Sequence, residues 1–196
     1  MNSLDVIILA GGEGRRMEGR DKGLVAFKSQ PMVAFTVELV RPIATNIIIS
    51  CNRNLPEYAG LADRVVEDAL EGFQGPLAGI LAGLKACQST QVLVLPCDTP
   101  LLELSLLKRL LASAKENPEG ITVLSEGDKL HPLHAVVPLS LVGDLETWLE
   151  GGQRAVQRWM RSHSMRLVDI GDDPEQLSNL NTFHELKALE KLKAEK

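Results

Sequence analysis

Apolar residues along the chain fall into two alternating patterns. Short runs of β-branched and aliphatic residues, bounded by glycine, proline or polar residues, read as buried strands. Val6–Ala10 is the first and stops at Gly11-Gly12. Asn46–Ser50 (NIIIS), Arg64–Val66, Gln91–Leu95 (QVLVL), Ile121–Leu124, Ala135–Val137 and Met165–Val168 follow. Between these runs apolar positions recur every three or four residues, the period of a helix with one buried face. The helical segments are Met32–Ile43, Leu77–Cys87, Leu101–Ala114, Ser140–Leu149, Arg154–Arg161 and Thr182–Lys193. Pro76 stands where a proline suits a helix start. The stretch from Gly11 to Gly23 is polar and glycine-rich and fits neither pattern.

Strands alternating with helices predict an α/β fold, a mostly parallel sheet with helices on both faces. There is no internal repeat, low-complexity segment or linker, and 196 residues suit one domain over 1–196. In open sheets of this kind ligands bind beyond the carboxyl ends of the strands. The polar residues that follow the first four strands are the 11–23 loop, Asn52-Arg53, Asp68 and Asp98. They are expected to converge on one crevice holding a glycine-rich loop, a lysine and carboxylates. That is the composition of a nucleotide-phosphate site.

Composition narrows the partners. Hydrophobic residues make up 44% and charged residues 24%, a globular balance. The net charge of −5 argues against a general nucleic-acid binder. Aromatics at 4% leave no platform for stacking bases. Three cysteines without a CxxC spacing argue against disulfides and zinc, and for a reducing compartment. The amino-terminal apolar run is too short for a signal peptide and no long apolar run exists, so no membrane association and a cytoplasmic location are expected.

Two familiar phosphate motifs fail on this loop. A Walker loop needs lysine after its second glycine, but Gly19 is followed by Arg20. The dinucleotide fingerprint begins with Gly12-Glu13-Gly14, but its third glycine position is Met17. The physical requirement survives. Glycines let backbone N–H groups approach phosphate oxygens, and Arg15, Arg16, Arg20 and Lys22 reverse the sign of the local charge. The competing reading is a flexible surface loop. Asp98, bracketed by Pro96 and Pro100, suits a Mg²⁺ ligand, because Mg²⁺ is held by one or two carboxylates plus substrate phosphates. The competing reading is a cap for a helix beginning near Leu101.

The segment LAGGEGRRMEGRDKG resembles the signature of the molybdenum cofactor guanylyltransferases, LAGGxxxRMG…DKG. The resemblance continues in order through GPLAG (Gly75–Gly79), PCDTP (Pro96–Pro100), HPLHAVVP (His131–Pro138), GQRAVQRWM (Gly152–Met160) and NLNT (Asn179–Thr182). It implies a Rossmann-like nucleotidyltransferase fold, with a nucleotide-binding half over 1–100 and an acceptor-binding half over 101–196. The implied reaction takes GTP and molybdopterin to the guanine dinucleotide cofactor and pyrophosphate, with Mg²⁺ as cofactor. Molybdenum-insertion proteins and recipient molybdoenzymes are the implied protein partners. Leu9, Ala10, Gly11 and Gly12 resemble the backbone wall of the nucleotide site, and Lys22 the phosphate lysine. Ser50 or Asn52 takes the nucleotide-contacting position after the second strand, Asp68 resembles a further nucleotide contact, and Asp98 the metal ligand. Asn179 and Asn181 resemble acceptor-side residues. Glu18 departs from the pattern by standing where the family has glycine.

Transfer between two anionic partners needs positioning and charge neutralisation rather than a nucleophilic side chain. Lys22, Arg16, Asp98 with its Mg²⁺ and the loop N–H groups are assigned that work. Cys97 reads as a small buried residue or a neighbour of the site, and the His131/His134 pair as structural or acceptor-binding. The nearest rivals are a CTP-using relative, which reads LAAG in place of Leu9–Gly12, and a sugar-phosphate nucleotidyltransferase. A non-catalytic nucleotide-binding module would be expected to lack Asp98 or Lys22.

Overall fold

Seven strands form the central sheet of a computed structural model that describes residues 3–12, 20–68, 75–171 and 173–179. In chain order the elements are β1 (Asp5–Leu9), β2 (Ala26–Phe27), β3 (Gln30–Pro31), α1 (Met32–Val40), β4 (Asn46–Ser50), α2 (Leu55–Ala59) and β5 (Arg64–Val66). Then come α3 (Pro76–Ala86), β6 (Gln91–Pro96), α4 (Leu104–Lys115), β7 (Ile121–Glu126), β8 (Lys129–Pro138), α5 (Val142–Glu150), α6 (Val156–Arg161) and β9 (Met165–Asp169). The order across the large sheet is β5-β4-β1-β6-β8-β7-β9, and β2 and β3 form a separate hairpin. The expected helix Thr182–Lys193 lies outside the described residues.

β1 lies in the interior of the sheet, third in the order, and all five of its residues are buried. It pairs in parallel with β4 on one side and β6 on the other. Its side chains alternate between two cores, as the pleat of a strand requires. Val6 and Ile8 face α1, α2 and α4, where Val33, Val37, Tyr58, Leu107 and Leu110 are buried. Ile7 and Leu9 face α3, α5 and α6, with Leu77, Ile80, Leu145 and Trp159. A strand covered on both faces needs a continuous apolar run, which is why VIIL carries no alternation. At the opposite end of β1, buried Asp5 accepts hydrogen bonds from Asn46 Nδ2 (2.8 Å) and from the backbone N–H groups of Gln88 (2.6 Å) and Ser89 (2.9 Å), tying three segments together.

The mostly parallel sheet with helices on both faces is as the alternation predicts. β8 is the exception. It is antiparallel to both β6 and β7 and spans Lys129–Pro138, far longer than the expected Ala135–Val137. Along β7 the partners jump from Ala135, opposite Val123, to His131, opposite Leu124. Pro132, Leu133 and His134 are thus set out of the ladder with β7. A proline that cannot donate to a ladder is accommodated at such a bulge.

Several helix limits differ from the periodicity. α1 ends at Val40 rather than Ile43. α5 is preceded by a 3-10 turn over Leu139–Leu141, and α6 begins at Val156 rather than Arg154. Arg154 instead donates to the carbonyl of Leu149 (2.7 Å) at the end of α5, the favourable place for a cation on a helix. α4 begins at Leu104, not Leu101, because Leu102 N–H closes a turn on the carbonyl of Thr99 (3.2 Å). Glu103 holds the N-cap position of α4, so the capping role weighed for Asp98 does not apply. No helix among the described residues is long and apolar enough to cross a membrane.

Candidate active site

The chain passes from β1 outward to β4 and β5, then returns to place β6 on the other side of β1. Strand order reverses there, and a crevice of about 340 Å³ opens beyond the carboxyl ends. Nine residues singled out in the sequence line it together: Leu9, Ala10, Gly11 and Gly12 after β1, Lys22 from the loop, Ser50 and Asn52 after β4, Asp68 after β5 and Asp98 after β6. Arg16, Glu18 and Asn181 lie outside the described residues. Asn179 is exposed and is not among the described residues that line the crevice.

The strand ends are fixed by their ladders. Ala10 N–H donates to the carbonyl of Ser50 (2.9 Å) and Cys97 N–H to that of Leu9 (3.1 Å). Polar side chains therefore leave the sheet at one level. Lys22 opens a 3-10 turn over Lys22–Leu24 and its ammonium donates to Oδ2 of Asp98. Both side chains are mostly buried, at 22% and 14% exposure. Oδ1 of Asp98 is buried and finds no hydrogen-bond partner among the described residues. Buried polar atoms are as a rule hydrogen-bonded, and in a crevice beside a lysine this oxygen is open to a ligand or ion.

On the β4 side, Asn52 and Asp68 clasp each other. Asn52 Nδ2 donates to Oδ2 of Asp68 and the Asp68 N–H donates to Oδ1 of Asn52, both at 2.9 Å. Ser50 Oγ donates to Oδ1 of Asp68 at 3.4 Å. The sequence left open whether Ser50 or Asn52 faces the ligand; both line the crevice and both converge on Asp68.

Other lining residues were not among the site candidates of the sequence. Gly75, Pro76 and Gly79 bring the amino end of α3 onto the crevice, and helix amino ends carry unsatisfied N–H groups that favour anions. Gly75 has a φ of 79°, a left-handed conformation open to glycine. The Gly-Pro pair before an apolar period was the available signal. Leu133 reaches the crevice from the β8 bulge, a placement no local pattern announces.

Cys97 also lines the crevice, and burial, followed by the charge of Asp98, pushes its thiol well above the ordinary range. Such a thiol is inert, in keeping with a packing residue. His134 is buried and shares a hydrogen bond of 3.2 Å between its Nε2 and Thr99 Oγ1. Burial, and next His131, push its pKa down to about 3, so the ring is neutral. No three metal-ligating side chains cluster among the described residues.

Fold and crevice together define the class, a Rossmann-like nucleotidyltransferase domain. A crystal structure of molybdopterin-guanine dinucleotide biosynthesis protein A from Archaeoglobus fulgidus matches with a TM-score of 0.82 at 20% identity, over 98% of this chain and 100% of that one. The 2-C-methyl-D-erythritol 4-phosphate cytidylyltransferase of Thermus thermophilus matches with a TM-score of 0.71 at 15% identity, over 96% and 98% of the two chains. At the level of sequence, the MobA-like NTP transferase domain matches residues 6–167. A molybdenum cofactor guanylyltransferase of Ectopseudomonas mendocina is 44% identical over 183 residues, 93% of this chain and 90% of the relative. One from Shewanella sediminis is 35% identical over 179 residues, 91% of each. The chain belongs to the molybdenum cofactor guanylyltransferase family.

Proposed function

We propose that this protein transfers GMP from GTP to molybdopterin, forming the guanine dinucleotide and releasing pyrophosphate. The observation that carries the reading is the convergence of the loop lysine, the Asp98 carboxylate and the amino end of α3 on one crevice in a chain of this family. A phosphate oxygen of the acceptor attacks the α-phosphorus of GTP, and the bond to the bridging oxygen of pyrophosphate breaks. Lys22, the loop N–H groups and the amino end of α3 offset the charge of the triphosphate, and Arg16 is assigned the same work. Asp98 would hold a Mg²⁺ through the oxygen that lacks a partner among the described residues, since one carboxylate beside substrate phosphates is how this ion is usually held. When bound, that ion supplies charge neutralisation at the phosphates.

Ser50, Asn52 and Asp68 are assigned to the nucleotide. The choice of guanine rests on Gly11. A Cβ there would sit 3.8 Å from Asn52 Nδ2, an ordinary contact, and one at Gly12 would meet nothing within 4 Å. Packing does not demand glycine at either position, so what the pair leaves open is room for the ligand. We assign residues 1–100 to the nucleotide and 101–196 to the acceptor, with Asn179 and Asn181 on the acceptor side. Recipient molybdoenzymes and molybdenum-insertion proteins are the expected protein partners. The three cysteines are free thiols, and the reaction is placed in the cytoplasm.

The test is a nucleotide panel. The protein is incubated with Mg²⁺, molybdopterin and each of GTP, CTP, ATP and UTP, and pyrophosphate and dinucleotide are measured. GTP is expected to exceed CTP by at least about 10-fold in kcat/KM. Equal or better use of CTP overturns the base assignment, and no dinucleotide with any of the four overturns the reaction.

A further inference from the structure

Beneath the loop lysine lies a buried polar cluster that the transfer chemistry does not touch. Asp21, directly before Lys22, is 8% exposed. Its carboxylate accepts hydrogen bonds from the Tyr58 hydroxyl (2.6 Å), from Asn54 Nδ2 (2.9 Å) and from the Gly23 N–H (3.2 Å). Arg53 Nε lies 3.6 Å from the same carboxylate. Three of the four partners come from one short segment after β4, Arg53 to Tyr58, which includes α2.

Tyr58 has no exposed surface and packs in the same core as Cys51 and Cys97. Burial, followed by the hydrogen bond to Asp21, pushes its phenol far above the usual range, so it remains a donor. Gly23 completes the fit. A Cβ on Gly23 would strike the Tyr58 hydroxyl, so the turn can close on the tyrosine because that residue has no side chain. The backbone on both sides of Lys22 is therefore held, at Asp21 through its carboxylate and at Gly23 through its N–H.

Lysine carries its charge on a flexible four-carbon stem. Where its ammonium goes depends on where the backbone starts it. Here the start is fixed to the core, and the ammonium arrives at Asp98. We propose that Asp21 and Tyr58 form a buried anchor that positions Lys22 for the triphosphate. Tyr58 is then a positioning residue, because it acts through Asp21 and the turn. The inference rests on the reading of Lys22 as a phosphate contact, and the experiment separates the two.

The experiment is a double-mutant cycle read as kcat/KM for dinucleotide formation from magnesium GTP and molybdopterin. Lys22→Ala alone is expected to lower kcat/KM at least about 100-fold. Tyr58→Phe, which removes one hydroxyl and keeps the ring in the core, is expected to lower it about 10-fold in the native background. In the Lys22→Ala background the same change is expected to cost less than about 2-fold, because the side chain it positions is gone. An equal loss in both backgrounds means a merely structural tyrosine and overturns the anchor. No loss from Tyr58→Phe in the native background overturns the anchor while the lysine assignment stands. Full activity of Lys22→Ala overturns the lysine assignment and the anchor with it. Should Tyr58→Phe fail to fold, Asn54→Gly takes its place. Asn54 is exposed with a φ of 54°, a conformation glycine adopts without strain, so only the donor to Asp21 is lost. Its expected loss is about 3-fold, again confined to the background that retains Lys22.

Discussion

Asp98 carries two oxygens in different states. One accepts from Lys22, and the other is buried without a partner among the described residues. Such an arrangement is poor for stability and useful for binding, as strained or unsatisfied groups at functional sites commonly are. Asp98→Asn keeps the shape and removes the charge. Transfer is expected to fall at least about 100-fold with little change in melting temperature. Binding of Mn²⁺ as a spectroscopic stand-in, measured with GTP present, is expected to weaken in parallel. Loss of stability with full activity would return Asp98 to a structural role. The residue was legible in the sequence because it follows a strand and sits between prolines. Lys22, Asn52 and Asp68 were legible from their place after strands, whereas Ser50, the last residue of its strand, was marked only by the family resemblance. Tyr58 was not, because a single tyrosine in a one-turn helix has neither period nor motif around it.

At the scale of elements, α3 shows how one helix serves both core and site. Gly79 and Gly83 are four residues apart and lie on the same face over β1. A Cβ at Gly83 would come within 2.7–2.8 Å of three Ile7 side-chain carbons, whereas one at Gly79 would come 2.7 Å from Ser50 Oγ, 3.2 Å from the end of the Leu9 side chain and 3.4 Å from Asp68 Oδ1. Gly83→Ala is therefore expected to destabilise by about 1–2 kcal/mol, overpacking outweighing the better helix propensity. Gly79→Ala is expected to spare stability, since Ser50 Oγ can rotate, and to weaken GTP binding several-fold. Melting curves and calorimetric titration of the two variants check the contrast; matching effects on both properties would refute it. α3, β4 and β5 were readable because buried apolar runs and the helical period leave a clear trace. The five residues of α2 are too few for a period, and strand direction has no sequence signature, so α2 and the reversal of β8 went unread. Pro132 also interrupts the apolar pattern of β8, which hid its first half.

The stability of the whole molecule carries a pH signature from one ring. Burial holds the folded pKa of His134 at about 3, against 6.5 for an ordinary histidine. Between those values the unfolded chain takes up the proton and the folded chain does not. Stability therefore falls as pH drops from about 6.5 toward 3, by at most about 1.4 kcal/mol per pH unit. His131, lowered by burial and next by Lys129, acts in the same direction. Below about pH 4 so does Asp5, in which hydrogen bonds from Gln88, Asn46 and Ser89 outweigh the upward push of burial. A series of melting curves is expected to show this acid limb, with a shallower slope between pH 6.5 and 4 in His134→Gln. An unchanged slope would assign the limb to other groups. The reversed strand that carries His134 has one more consequence, in the order of synthesis. β6, the buried QVLVLP strand, ends at Pro96, and its partner β8 is complete only at Pro138. With 138 − 96 = 42 residues still to be made, and roughly 5–20 residues added per second, one edge of that strand waits about 2–8 seconds for its partner. During that interval the growing chain exposes an apolar strand edge of the kind that pairs readily with other chains, so this fold is open to aggregation until Pro138 has been made.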